Sequence, residues 1–285
     1  MGQLRDYLPR HTYGVVGTYR EDRLVVAVAG VSIGDDDGLL LQFPQAHPFR
    51  AEDKITVQLD NRMAVPRMTA ELPVHRTSYK GTVTSVAPAF LEVSPVQYEI
   101  FLSDQALEGF RLSRYRFPPD ERPVRPLEES PQSCGLRLNE GEAQTSLGVL
   151  FTRAPERPHS TVMAFLSSEA GDVFIVTDPA TFKAHNLLRN PEALFAVDFR
   201  DSYDLARPVT WAYRLQPMKA FKISPDRKIH TEVREAFLRK NPWNVNFFTA
   251  KGAVLLHLLP EPALKTKDVL VDNPTWDQMD HFGQR

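Results

Sequence analysis

The stretch from Gly171 to Phe199, GDVFIVTDPATFKAHNLLRNPEALFAVDF, decides how this chain is expected to fold. Its apolar runs VFIV and LFAVDF are rich in β-branched and aromatic residues, which predicts two strands. The segment between them is long enough for a helix of about two to three turns. The corner where the first strand meets this helix has the pattern Thr-x-x-x-Thr-x-Lys, formed by Thr177, Thr181 and Lys183.

This corner has the chemistry of an anion site. A helix N-terminus offers unpaired backbone N–H groups and the positive end of its dipole, which suits a phosphate. Thr177 and Thr181 can donate hydrogen bonds, and Lys183 can pair with the charge. Spacing alone fits a plain N-cap at Thr181 and a solvated Lys183 better. A first-turn lysine, however, faces the unfavourable end of the dipole, which favours an anion beside it.

The composition is that of an ordinary globular protein. The 285 residues are 42% apolar and 25% charged, and the formal net charge is −2, so no overall basic field indicates nucleic acid. Cys134 is the single cysteine, which excludes an internal disulfide and fits a reducing compartment. The N-terminus lacks an apolar signal segment, and no apolar run approaches the ~20 residues of a membrane helix. We therefore expect a soluble, cytoplasmic protein without a membrane partner.

A proline-rich stretch divides the chain. FPPDERPVRPLEESP, from Phe117 to Pro131, carries prolines and charges that exclude a central strand or a helix interior. This composition is typical of an extended linker. We expect one domain over 1–116, a linker over 117–145 and a second domain over 146–285.

Both halves are predicted to be mainly β. Ile55–Asn61 alternates apolar and polar residues with the period of a half-buried strand, and short apolar runs bounded by turn residues recur throughout. Two segments that start with Ser-Pro, Ser94–Phe110 and Ser224–Pro242, are predicted helices with serine N-caps.

The two halves also repeat each other. Three segments that start at Tyr13, Arg23 and Asp37 align at one constant offset with segments that start at Leu147, Arg157 and Gly171. Two later segments, from Ile55 and Lys80, align at a larger offset with those from Leu194 and Lys219. The added residues lie in the corner, where Gln45–Lys54 of the first half is shorter than Pro179–Ala193 of the second. The first half lacks the hydroxyl pattern and the lysine, which predicts that its corner is degenerate.

The second half resembles a known family on the residues RPHSTVMAF, from Arg157, and on the stretch quoted first. It looks like the pyridoxamine 5′-phosphate oxidase-like FMN-binding split barrels. The resemblance covers about Ser146–Pro260 well, and it reaches Tyr13–Phe110 only through the repeat. It implies two tandem split β-barrels, mainly β with minor α, that form an intramolecular pseudo-dimer.

The resemblance also implies an FMN site at the second copy. It suggests cofactor contacts from the second strand, the corner and a strand facing the other barrel: His159, Thr161, Val162, Met163, Thr177, Thr181, Lys183, Trp211 and Gln216. The C-terminal sequence TWDQMDHFGQR lacks the arginine-histidine motif of the true oxidase, which argues against pyridoxamine phosphate as substrate.

The function expected from this resemblance is that of a flavin-dependent oxidoreductase acting on a small molecule, with NAD(P)H as a possible donor. The alternative is a heme- or flavin-binding protein without turnover. No catalytic residue is identified, and histidine and cysteine spacing predicts no metal site. Gly30–Gly34 matches a hydrolase elbow, but the turn and strand expected after Ser32 do not fit one. One FMN per chain is expected, in a monomeric pseudo-dimer or a homodimer.

Overall fold

The computed structural model describes residues 3–43, 46–61, 74–102, 105–143, 147–198, 213–250, 252–261 and 269–271. The protein is mainly β, as predicted. Its strands are β1 His11–Arg20, β2 Arg23–Ile33, β3 Leu39–Gln42, β4 Lys54–Asp60, β5 His75–Ala87, β6 Phe90–Leu102, β7 Gln105–Arg111, β8 Leu147–Thr152, β9 His159–Ala164, β10 Leu166–Ser167, β11 Val173–Thr177, β12 Glu192–Asp198, β13 Tyr213–Ile223, β14 Val254–Pro260 and β15 Val269–Val271. The helices are α1 Phe182–Arg189, α2 Lys228–Lys240 and α3 Val245–Thr249.

The first sheet closes into a six-stranded barrel. Its strands follow the order β1-β4-β5-β6-β3-β2, and β2 pairs with β1 to complete the circle. The interior is filled by alternate residues such as Val31, Leu41, Ile55 and Tyr79, all buried. The period-two pattern predicted for Ile55–Asn61 is thus what places apolar side chains inside the barrel.

The second sheet follows the order β10-β11-β14-β13-β12-β8-β9 and curls around a core of its own. Its pairings repeat those of the first barrel in the register that the sequence alignment gives. Val15 pairs with Val28, and the aligned Val149 pairs with Val162. In the same way Ser32 pairs with Leu40, and the aligned Leu166 pairs with Phe174.

After the corner, the structural match differs from the one expected from sequence. Val16 pairs with Val57, while the aligned Leu150 pairs with Phe195, so Val57 corresponds to Phe195. Both of these side chains lie in the cores of their own barrels. The sequence alignment instead matched Val57 with Ala196, which faces the other barrel. That alignment was therefore wrong by one position in β4, a shift that reverses the face of every side chain in a strand.

The helix predicted over Ser94–Phe110 is also wrong. This segment belongs to the antiparallel hairpin of β6 and β7. Tyr98 and Ile100 alternate into the barrel core with strand period. Pro95 lies opposite Gly81 next to a register shift, which is where a sheet tolerates a proline. The Ser-Pro pair thus marks a sheet irregularity rather than a helix start.

The second predicted helix is confirmed with a later start. α2 begins at Lys228, and its apolar residues Ile229, Val233 and Phe237 pack on the outside of the second sheet. Ser224 was the expected N-cap. Instead, its backbone N–H and its hydroxyl both donate hydrogen bonds to the Glu129 carboxylate.

The proline-rich stretch is fixed along its length to the second sheet. The Arg125 N–H donates to the Leu188 carbonyl at 2.7 Å, and the Lys222 N–H donates to the Glu128 carbonyl at 2.9 Å. The Ser130 N–H donates in turn to the Lys222 carbonyl at 2.8 Å. We call residues 117–131 the strap, because they wrap around α1 and β13.

The two sheets pack against each other through β1 and β2 on one side and β8, β12 and β13 on the other. Tyr13, Val26, Phe151 and Leu215 belong to this shared apolar cluster. Polar bonds add to it: the Thr56 hydroxyl donates to the Pro158 carbonyl at 2.6 Å. In the part of the chain that the structure describes, no helix is long and apolar enough to cross a membrane.

Candidate functional site

The corner between β11 and α1 is built as the sequence predicted, but its hydroxyl groups are used locally. The Thr181 hydroxyl donates to the Asp178 carbonyl at 2.7 Å and lies 3.0 Å from the hydroxyl of Thr177. Thr181 is the N-cap of α1, with no side-chain bond to a helix N–H. The two hydroxyls therefore brace the corner, and the first N–H groups of α1 carry no hydroxyl cap.

Lys183 lies in the first turn of this helix, half-buried. Among the described residues, no carboxylate comes within ion-pair distance of its ammonium. Burial, followed by the charge of Arg76, lowers the pKa of Lys183 to about 8, against a smaller opposing effect of Asp178. A cation in this state gains from an anionic ligand, since the ligand removes the cost of holding the charge there.

Lys80 on β5 brings a second cation from the first barrel. Its ammonium donates to the Gln97 amide oxygen at 3.0 Å and lies 4.7 Å from the centre of the Phe117 ring. The pKa of Lys80 is lowered to about 8 by burial and then by the charge of Arg157. In the described structure, Lys80 likewise has no carboxylate within ion-pair distance.

His159, at the start of β9, lies between these lysines. Its half-buried ring contacts Phe182 edge-on at 4.9 Å, and Phe182 contacts Phe117 of the strap at 5.3 Å. Burial and the charges of Lys80 and Lys183 lower the pKa of His159 to about 3. At neutral pH, His159 is therefore a neutral hydrogen-bonding group inside a cationic cleft.

The cleft is thus composite. Ser78, between Arg76 and Lys80 on β5, lies 2.9 Å from the hydroxyl of Ser160 on β9, which fixes the two walls together. Residues 76, 78 and 80 share one face of β5, because side chains alternate along a strand. We call the space bounded by this face, β9, the N-terminus of α1 and Phe117 the interbarrel cleft.

The other residues expected at the cofactor are placed less uniformly. Val162 packs in the cluster between the barrels, whereas Met163 belongs to the core of the second barrel. Thr161 pairs with Leu150 of that core and is half-buried on the same inner face. Gln216 pairs with Phe195, so it too lies on the inner face rather than against the first barrel. Trp211 lies outside the described residues.

The pseudo-equivalent position in the first barrel is filled. No helix forms between β3 and β4 in the described residues there, and Phe43, His47 and Phe49 cluster instead with ring centres 4.8–5.9 Å apart. The strand β15 pairs with β2 along Leu24–Val26. The equivalent positions of the second barrel, 158–160, have no strand on the matching edge of β9 within the described ranges.

One arrangement was not found from sequence. The hydroxyl of Ser130 lies 2.7 Å from His257 Nδ1, and His257 Nε2 lies 3.2 Å from the Asp172 carboxylate. The residue types follow the order of a hydrolytic triad, but the two ring nitrogens are exchanged, since a triad serine bonds Nε2 and its aspartate bonds Nδ1. All three side chains are nearly fully buried, however, with exposures of 2%, 1% and 6%, so the group clamps the strap to the second sheet. The three residues are far apart in the sequence, and no local motif marks them.

Metal-ligating chemistry is not concentrated anywhere in the described ranges, where no three His, Cys, Asp or Glu side chains could hold an ion together. Ser32 lies in β2, and β3 is the next strand, so Gly30–Gly34 does not form a strand-to-helix elbow.

Comparison with known proteins gives likeness of fold over part of the chain. No family model matches the sequence, and no curated protein matches it. The heme storage protein HutZ of Vibrio cholerae is 18% identical over 44% of this chain and 92% of its own, with a TM-score of 0.35. General Stress Protein 26 of Bacillus anthracis is 20% identical over 41% and 80%, with a TM-score of 0.31. An FAD-binding protein of Mesorhizobium loti is 15% identical over 42% and 83%, with a TM-score of 0.34.

Proposed function

We propose that the chain binds one FMN in the interbarrel cleft and acts as a flavin-dependent oxidoreductase on a small molecule. The observation that carries this proposal is the cleft itself. Two lysines from different barrels face a neutral His159 beside the N-terminus of α1, and no described carboxylate neutralises them. Such a site favours binding of a ligand with a strongly anionic end.

The residues present fit a flavin phosphate. Lys183 and the first N–H groups of α1 would hold the phosphate, and Lys80 would reach it or its neighbouring polar groups from the first barrel. Thr177 and Thr181 would keep the corner in shape for this contact. The aromatic side chains of Phe182 and Phe117 would limit water at the apolar part of the ligand.

The edge of β9 fits the ring of the cofactor. In the first barrel, β15 pairs with the matching edge of β2. An edge of this kind can therefore form backbone hydrogen bonds with a partner. Beside His159 and Ser160 the same edge would offer backbone polar groups to a flat heterocycle. When bound, FMN would supply hydride or electron transfer, and the protein would bind, orient and shield it, with NAD(P)H as candidate donor.

The proposal includes the organisation of the chain. We propose that the barrels are two copies of one unit, with limits at 1–116 and 146–285 and the strap within 117–145, and that they form a pseudo-dimer. The strand registers support this. The pair β1–β2 has the same register as β8–β9, and the pair β2–β3 has the same register as β10–β11.

A heme-binding protein without turnover is the second candidate. It is favoured by one feature: His159 is a neutral imidazole in a cleft at pH 7, which is the form that ligates iron. Lys80 and Lys183 could then pair with the carboxylates of the porphyrin.

The visible spectrum of the purified protein, followed by mass measurement of the released cofactor, tests both. Flavin absorption that NADH or NADPH bleaches supports the reductase, and a Soret band supports heme. For protein purified empty, titration with FMN and with hemin decides, and binding of neither rejects both functions.

A further inference from the structure

We propose that Arg157 is a positioning residue of the interbarrel cleft, which holds the wall that carries Lys80 and tunes the charge that Lys80 presents to a ligand. The inference rests on the proposed function, since that function gives Lys80 its role. Arg157 itself does not line the cleft: it is 1% exposed and heads the group of the largest fully buried side chains.

Arg157 connects the two barrels directly behind Lys80. Its Nη1 donates to the carbonyl of Gly81 at 2.8 Å and, at 3.4 Å, to that of Ile55. Gly81 follows Lys80 in β5, so this bond fixes the backbone from which Lys80 projects. Arg157 lies just before the start of β9, so the same side chain also sets the spacing between Lys80 and His159.

Arg157 also supports the start of the strap. Its guanidinium lies 5.6 Å from the ring centre of Tyr115, whose hydroxyl donates to the Glu156 carboxylate at 2.9 Å. Phe117, which follows closely after Tyr115 in the chain, is the ring that lies over the Lys80 ammonium. Arg157 thus contacts the two segments that surround Lys80. One is the backbone of β5, and the other is the chain just before the strap.

The charges around Lys80 come from several elements. Burial and Arg157 lower the pKa of Lys80 most, Arg111 of β7 lowers it further, and Glu99 of β6 and Glu156 raise it. His159 of β9 faces the same cleft but stays neutral. Among the charged residues, Arg157 has the largest effect on the pKa of Lys80, and the neighbouring Glu156 acts in the opposite direction.

Stability alone does not explain this arginine. Its Nε is buried without a hydrogen-bond partner in the described structure, and the Glu156 carboxylate is 3.5 Å from Nη2. Burying a guanidinium with incomplete partners carries a desolvation cost, so the burial of this charge is weak evidence for a role in stability. The burial of Arg157 at this place is therefore better explained by its effect on Lys80.

The test is the pH dependence of Lys80 reactivity, measured by competitive labelling with an amine reagent and peptide mass spectrometry on the full chain. In the wild type, half-maximal labelling of Lys80 is expected near pH 8. Arg157→Met should raise that midpoint by about 1 unit, because a like charge is removed. Glu156→Gln should lower it, since an opposite charge is removed. Midpoints that stay fixed in both variants would overturn the proposal.

Arg157→Lys separates charge from position. It keeps the charge but cannot make the same bond to Gly81, so the Lys80 midpoint should stay near the wild-type value while FMN affinity falls about tenfold, the effect of one lost hydrogen bond. Unchanged FMN affinity in Arg157→Lys would remove the positioning role.

The labelling needs no ligand, so it remains decisive if the proposed function fails. A wild-type chain that binds no FMN rejects that function, while the Lys80 midpoints still decide whether Arg157 tunes the lysine. Should Arg157→Met fail to fold, as judged by its circular dichroism melt, Arg157→Gln takes its place, with the same rise of the Lys80 midpoint expected and a fixed midpoint again overturning the proposal.

Discussion

In the proposed pseudo-dimer, two related regions lie between the barrels, and their side chains differ in character. In one, Ser78 of the first barrel meets Ser160 of the second. At the related positions of the other stand Leu215 and Val26, members of the apolar cluster that joins the barrels. The same backbone plan thus gives a polar, cationic cleft on one side and a packed interface on the other.

The corners differ in the same direction. α1 leaves an N-terminus and Lys183 open to a ligand, whereas the first corner closes on the rings of Phe43 and Phe49. The edge of β2 is also covered by β15. Burial of the apolar residues on the packed side stabilises the pairing of the two barrels that forms the interbarrel cleft.

The largest effect expected from this asymmetry is in stoichiometry. We predict one FMN per chain, because the first corner offers neither a helix N-terminus nor a lysine, and an unpaired phosphate there would cost several kcal/mol, about 2–7 per polar group. Saturation with FMN and flavin absorbance per protein measure this. Two tightly bound flavins would show that the second cleft is not closed.

The next effect is on affinity. Lys183→Met should weaken FMN binding by roughly 10- to 150-fold, since a charge-assisted hydrogen bond contributes about 1.5–3 kcal/mol. Riboflavin, which lacks the phosphate, should be nearly unaffected. Equilibrium titration by flavin fluorescence gives both constants.

Lys228→Met is the matched control, because Lys228 also lies in the first turn of a helix but is mainly exposed and pairs with Glu232. It should leave FMN affinity unchanged. Equal losses for FMN and riboflavin in Lys183→Met would exclude a phosphate at this corner.

Much of this asymmetry was visible in sequence, and the rest depended on pairing. Thr177, Thr181 and Lys183 could be located because a strand, a corner and a helix lie within one local stretch. Lys80 and Arg76 could not, because their relation to His159 exists only after β5 packs beside β9. The strand pair β6 and β7 was not predicted because Ser94-Pro95 resembles a helix start, whereas the alternating burial of Val96, Tyr98 and Ile100 in the structure has the strand period.

A smaller effect concerns acid stability. His159 has a folded pKa near 3 against an ordinary value of 6.5, so below pH 6.5 the unfolded chain binds a proton that the folded chain does not. The free energy of unfolding should therefore decrease as the pH is lowered below 6.5. The slope from this residue is at most about 1.4 kcal/mol per pH unit. Above about pH 7.5 the residue contributes almost no slope.

Urea unfolding of wild type and His159→Gln at pH 7, 6 and 5 measures this contribution as a difference. The variant should lose less stability between pH 7 and 5 than the wild type. His185→Gln, an exposed position on α1, is the control and should follow the wild type. Parallel pH profiles for wild type and His159→Gln would mean that His159 titrates normally in the fold.

The smallest expected effect separates bracing of the corner from ligand binding. Thr181→Val keeps the shape of the side chain but removes the hydroxyl that donates to the Asp178 carbonyl and neighbours Thr177. We expect a loss of about 0.5–1.5 kcal/mol in the free energy of unfolding and a smaller loss of FMN affinity than in Lys183→Met. Thr84→Val, whose exposed hydroxyl bonds Glu92 in the first barrel, should change stability less, since water replaces that bond. An affinity loss in Thr181→Val as large as in Lys183→Met, with stability unchanged, would mean that the hydroxyl turns to the phosphate on binding, and that the corner is rebuilt by its ligand.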